Sequence, residues 1–115
     1  MTNTLPTTQK IAAALSGISR VHVQFTTHLR ERMSSREVSE AMVLSAIQNA
    51  RPSMISKIKR ANASEGHTGI VFEITYPYKQ FQFDVVLNVT SNGIVKIVTV
   101  GPKRCPRTNS LVGPV

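Results

Sequence analysis

Apolar residues recur at two spacings along this chain, and the change of spacing divides it. In the first half they are three or four apart. Residues 9–16 (QKIAAALS) read as a short helix ended by Gly17. Val21, Val23 and Phe25 alternate with His22 and Gln24, a short strand or extended lead-in. Thr26 or Thr27 then stands as the N-cap of a helix through about Met33. Ser34 or Ser35 is expected to cap the next helix, since Ser34 precedes Glu37 at a capping-box spacing. That helix is expected to reach about Ala50, with Val38, Ala41, Met42, Ala46 and Ile47 buried, and Pro52 ends or restarts it. Residues 53–60 read as a further basic helical turn and 61–68 as a loop.

In the second half the period falls to two. Ile70, Phe72, Ile74 and Tyr76 alternate with Val71, Glu73 and Thr75. Phe81, Phe83, Val85, Leu87 and Val89 alternate with Gln82, Asp84, Val86 and Asn88. Residues 77–80 fit a four-residue hairpin loop, and Asn92-Gly93 is a strong two-residue turn signal leading into residues 94–100. The pattern predicts a three-stranded antiparallel meander, stopped by Gly101-Pro102. The expected register pairs Tyr76 with Phe81, Ile74 with Phe83, Phe72 with Val85 and Ile70 with Leu87. It also pairs Ser91 with Ile94, Leu87 with Val98 and Val85 with Val100. One sheet face is then continuously apolar. The other carries Glu73 directly opposite Asp84 and, in a further row, Val71, Val86 and Thr99. The fold class is α+β: N-terminal helices packed on one face of a three- to four-stranded antiparallel sheet. Residues 1–8 are expected to be a loose N-terminus, 9–101 one domain and 102–115 a basic, Pro-containing tail.

Composition narrows the classes. The 115 residues suit a single core. No apolar run approaches the roughly 18–20 residues of a membrane span, so no membrane partner is expected. The apolar run near the N-terminus is too short for a signal peptide, which points to a cytoplasmic protein, or to a part of a larger secreted toxin. A lone cysteine, Cys105, excludes an internal disulfide and a Cys-based zinc site. Lys and Arg number 14 against 6 Asp and Glu, a formal charge of +8. That excess directs attention to RNA, DNA or an acidic protein surface.

Two constellations can carry chemistry. Like charges directly opposite on a ladder are unfavourable, so Glu73 and Asp84 require a basic side chain, a metal or a shared proton, with Lys103 and the helix arginines as candidate cations. Otherwise they lie on a solvated face. The second constellation is His28 and Arg32, four apart on one helical face, with Arg36 next in the row if the helix continues past Ser34. A His with two Arg is what a metal-free ribonuclease needs: imidazole moves a proton at the 2′-OH and guanidinium holds the phosphate. The bland alternative is a surface helix with its own salt bridges. His22 and His67 read as structural or exposed. Phosphate-loop, dinucleotide, zinc-protease and serine-hydrolase motifs are absent, and no cofactor or metal is expected.

The run Phe25–Glu40, FTTHLRERMSSREVSE, resembles the fT-x-H-a-x-x-R-m-x-x-R-g-I-s opening of a small, widespread bacterial and phage domain of unknown function. That domain is placed in the barnase–EndoU–colicin–RelE group of ribonuclease toxins. Ile97-Val98-Thr99-Val100 resembles its closing i-i-T-v strand, and the likeness covers about residues 23–101. Glu37 and Val38 replace its usual Gly-Ile. The resemblance carries the polar positions onto His28, Arg32, Arg36 and Thr99, and implies an acidic antitoxin or immunity protein as partner. The resulting expectation is a metal-independent endoribonuclease of toxin type. His28 would be general acid or base, Arg32 and Arg36 would bind phosphate, and Thr99 and Glu73 would assist. Arg30, Lys57, Lys59, Arg60, Lys79, Lys103 and Arg104 would contact nucleic acid. A non-catalytic small phage or plasmid protein that binds nucleic acid or inhibits a host protein is the alternative. A third reading uses Val71, Val86, Val95 and Ile97 as an assembly interface.

Overall fold

A computed structural model of the chain describes residues 5–61, 69–90 and 92–105. Among these residues the fold is α+β, with three α-helices and a five-stranded, mostly antiparallel sheet. Helix α1 (Thr8–Leu15) is N-capped by the Thr7 hydroxyl. After a 3₁₀ turn at Arg20–His22 comes a two-residue strand, β1 (Val23–Gln24). Thr26 caps α2 (Thr27–Ser35), and Ser39 caps α3 (Glu40–Gln48). The remaining strands are β2 (Ile55–Arg60), β3 (Ile70–Tyr78), β4 (Phe81–Val89) and β5 (Val95–Val100). Spatial order is β1-β5-β4-β3-β2, with only the β1–β5 pair parallel. The chain leaves β1 at one edge, crosses the sheet through α2 and α3, and returns strand by strand from the other edge.

The core lies between the helices and one sheet face. Leu15, Leu29, Met33, Val43, Ala46 and Ile47 meet Phe72, Ile74, Phe83, Val85, Leu87 and Val100 there. Full burial of one such side chain contributes about 1.5–3 kcal/mol. Tyr76 and Tyr78 both set their rings edge-on to Phe83, at 6.0 and 6.5 Å.

Three expectations are corrected. First, the break between the second and third helices falls later than Ser34. Helix α2 closes when Val38 N–H bonds Met33 O and Glu37 N–H bonds Ser34 O, with Glu37 at φ +60°. This is a Schellman ending, with Glu where glycine is favoured. The expected Ser34–Glu37 capping box is therefore not formed, and Ala41 is exposed while Val43 is buried.

Second, residues 55–60 are a strand and not a helical turn. A bulge between Ser56 and Lys59, with Lys57 at φ +58°, inserts one extra residue. Ile55 and Ile58 both reach the core because of it, a three-residue spacing that imitates a helix.

Third, the registers shift. The β3–β4 hairpin turns through two residues, Lys79-Gln80, so Tyr78 pairs with Phe81 and Tyr76 with Phe83. A shift by two preserves the faces but separates the carboxylates: Glu73 stands across from Val86, and Asp84 across from Thr75. Between β4 and β5, Val85–Val100 and Val86–Thr99 pair as expected. A bulge then places Ile97, not Val98, across from Leu87. Val95 and Ile97 therefore join the core and Val98 is 55% exposed. Of the four residues read as an assembly interface, Val95 and Ile97 are thus internal, and Val71 and Val86 remain half-buried on the other face. The expected Ser91–Ile94 pair falls on Ser91, outside the described residues. The turn there is tied by Thr90 N–H to Ile94 O, and Gly93 takes φ +87°.

Candidate functional site

Helix α2 lies beside the outer edge of β5, beyond the short reach of β1. Its placement follows from its sequence. Leu29 and Met33, four apart, are buried, so His28 and Arg32 are turned outward along the next row. Arg36, at the helix end, sends its guanidinium to the Val100 carbonyl. That contact ties the last turn of α2 to the last residue of β5.

The space between the two elements is a cleft of 270 Å³, lined by Thr26, His28, Leu29, Arg32, Val98 and Thr99. Arg32 Nη2 stands 3.3 Å from His28 Nε2. Thr99 reaches the cleft from the sheet and Thr26 from the helix cap. An imidazole, a guanidinium and two threonines therefore line one small volume. Such a set can take a proton from a hydroxyl and hold an anion beside it.

Three of the expected catalytic residues, His28, Arg32 and Thr99, meet here. Arg36 is close by but engaged: one of its guanidinium nitrogens holds the sheet edge. In this position it clamps helix to strand. Glu73 is elsewhere, two strands away from Thr99, and pairs with Lys57 at 2.9 Å. Asp84 receives Arg104 on both carboxylate oxygens at 2.8 Å. The two carboxylates, separated by the register, each have one cation, from β2 and from the segment after β5.

The expected nucleic-acid contacts sit on several elements, most beside a partner. Arg30 and Arg20 share Glu40, at 2.6 and 2.8 Å, and both stack over the Phe25 ring. Burial raises the Glu40 pKa, but the hydrogen bonds and charges of the two arginines outweigh it and leave the carboxyl below its ordinary value. Lys79 lies over Tyr78, and Lys103 over Phe81 with Glu37 at 3.6 Å. Arg60 ends β2 and has a partner of its own. Lys59 is exposed on the same strand. His22 accepts or donates to the Ser19 hydroxyl at 3.0 Å, and His67 is outside the described residues.

Thr26 and Val98 were missed as site residues. Thr26 was legible as a cap, and nothing in the sequence marked it as a wall of the cleft. Val98 had no legible signal, because only the bulge turns it outward. Among the described residues no three His, Cys, Asp or Glu side chains stand close enough to hold a metal ion, and no helix is long and apolar enough to cross a membrane. No protein-family model, curated protein or solved structure matches the chain.

Proposed function

We propose that the chain is an endoribonuclease of toxin type and that the α2–β5 cleft is its active site. One observation carries this reading: His28, Arg32 and Thr99 line a single cleft although they come from opposite ends of the chain. In the proposed reaction His28 Nε2 takes the proton of an RNA 2′-OH. The 2′-oxygen bonds to phosphorus as the bond from phosphorus to the 5′-oxygen breaks. Arg32 leaves its contact with His28 and holds the non-bridging oxygens as charge grows on them. The departing 5′-oxygen takes a proton from water, and the product carries a 2′,3′-cyclic phosphate. Thr99 and Thr26 orient the phosphate. Arg36 keeps helix and strand at the spacing the reaction needs. The net charge of +8 favours approach of a polyanion, and an acidic protein that covers the same cleft would silence it.

The test is incubation with total bacterial RNA in EDTA, beside His28→Ala. Discrete fragments with cyclic-phosphate ends, lost in the variant, are expected. Fragments that persist in the variant would remove His28 from the reaction. RNA that stays intact across a panel of structured and unstructured substrates would overturn catalysis and favour the binding-only alternative. That alternative has its own signature: affinity falling with log salt at a slope set by the number of phosphates neutralised.

A further inference from the structure

Away from the α2–β5 cleft, α1 buries Ile11, Ala12 and Leu15 in the core. It packs on the 3₁₀ turn at Pro52–Met54 and on β2. Beneath it lies a second cavity, of 470 Å³. Its walls are apolar: Ile11, Ala14 and Leu15 from α1, Ile70 and Phe72 from β3, and Val89 from β4. Gly69 forms part of its floor, where the start of β3 presses so close to Val89 that a Cβ would strike the Val89 carbonyl. Among the described residues the two charged side chains that line it, Lys10 and Arg60, are both basic. A volume of this size, apolar walls and a few polar groups at one side are the usual makings of a small-molecule site.

We infer that this cavity binds a small anionic amphiphile, a medium-chain carboxylate in chemical class. Its tail lies between α1 and the β3–β4 ends, and its head group meets Lys10. Apolar contact with the walls supplies the attraction and the Lys10 ammonium selects the head group. Binding to the folded chain alone also stabilises the fold.

The experiment is a titration of the full chain with decanoate below its micellar concentration, followed by backbone amide shifts in two-dimensional NMR. Saturable shifts confined to Ile11, Ala14, Ile70, Val89 and their neighbours are expected, with a rise in Tm. Lys10→Glu, an exposed position, is expected to weaken binding about tenfold. Ala14→Phe, checked for folding by circular dichroism, is expected to abolish it. Absence of saturable shifts overturns the proposal, as it would if the chain's own residues fill the space. Equal affinity for decanol overturns the anionic head group. Shifts centred on His28 and Thr99 would move the ligand to the other cleft.

Discussion

The β3–β4 hairpin and the α2–β5 junction are held in opposite ways. The hairpin pairs nine residues on each strand, and its inward side chains Phe72, Ile74, Phe83, Val85 and Leu87 are at most 1% exposed. Its position is over-determined by many equivalent apolar contacts. The junction rests on a helix with two buried side chains, a bulged strand and one guanidinium reaching one carbonyl. A site that must admit a ligand belongs in the second kind of region, where backbone edge and polar side chains stay accessible. The first kind supplies the rigid plane against which the second is measured.

The contrast is open to test by stability. Phe83→Ala removes a fully buried ring that two tyrosines touch, and is expected to cost about 3–5 kcal/mol in urea unfolding. A loss under about 1 kcal/mol would deny the hairpin its role as the rigid plane. Arg36→Met should cost about 1.5 kcal/mol, the worth of a charge-assisted hydrogen bond. It should also move the amide signals of Val98–Val100 and leave those of β3 in place. Shifts spread evenly over the sheet would erase the distinction between the two regions. Glu37→Gly should stabilise the protein by about 0.5–1 kcal/mol, because the residue sits at φ +60° in the ending of α2. A destabilised variant would mean that the Lys103 contact outweighs backbone strain.

The smallest effect concerns the Arg20–Glu40–Arg30 cluster. The Glu40 carboxyl is held below its ordinary pKa in the folded chain. Its contribution is therefore fully present above the unfolded value, about 4.3, and is lost as pH falls through the folded value. Being part-exposed, the cluster is worth under about 1 kcal/mol. Glu40→Gln should lower stability at neutral pH by that amount, leave it almost unchanged below about pH 3, and flatten the profile between.

The legibility of the sequence followed the same division. The fold class, the apolar face of β3 and β4, and the outward row of His28 and Arg32 were readable because each depends on periodicity, which side-chain burial enforces over many residues. The exact register of the hairpin was not, because a shift by two leaves that periodicity intact and only the turn decides it. Strand β2 was hidden by a bulge that gave Ile55 and Ile58 a helical spacing. The bulge at Val98 had the same effect on β5, exchanging Val98 for Ile97 in the core. The clamp from Arg36 to Val100 joins residues 64 apart, and nothing local announces such a contact.

The bulge in β2 has a further consequence, for the behaviour of many molecules together. β2 is the outer strand on its side of the sheet, with one flank unpaired among the described residues. Regular outer strands invite a neighbouring molecule to add its own strand and begin a fibril. Here the backbone is thrown out of line at Lys57, and the exposed lysines 57 and 59 put like charges on any approaching copy. The irregularity that disguised this strand thus also guards the solubility of the chain, and a straightened, lysine-free β2 would be the place where aggregation starts.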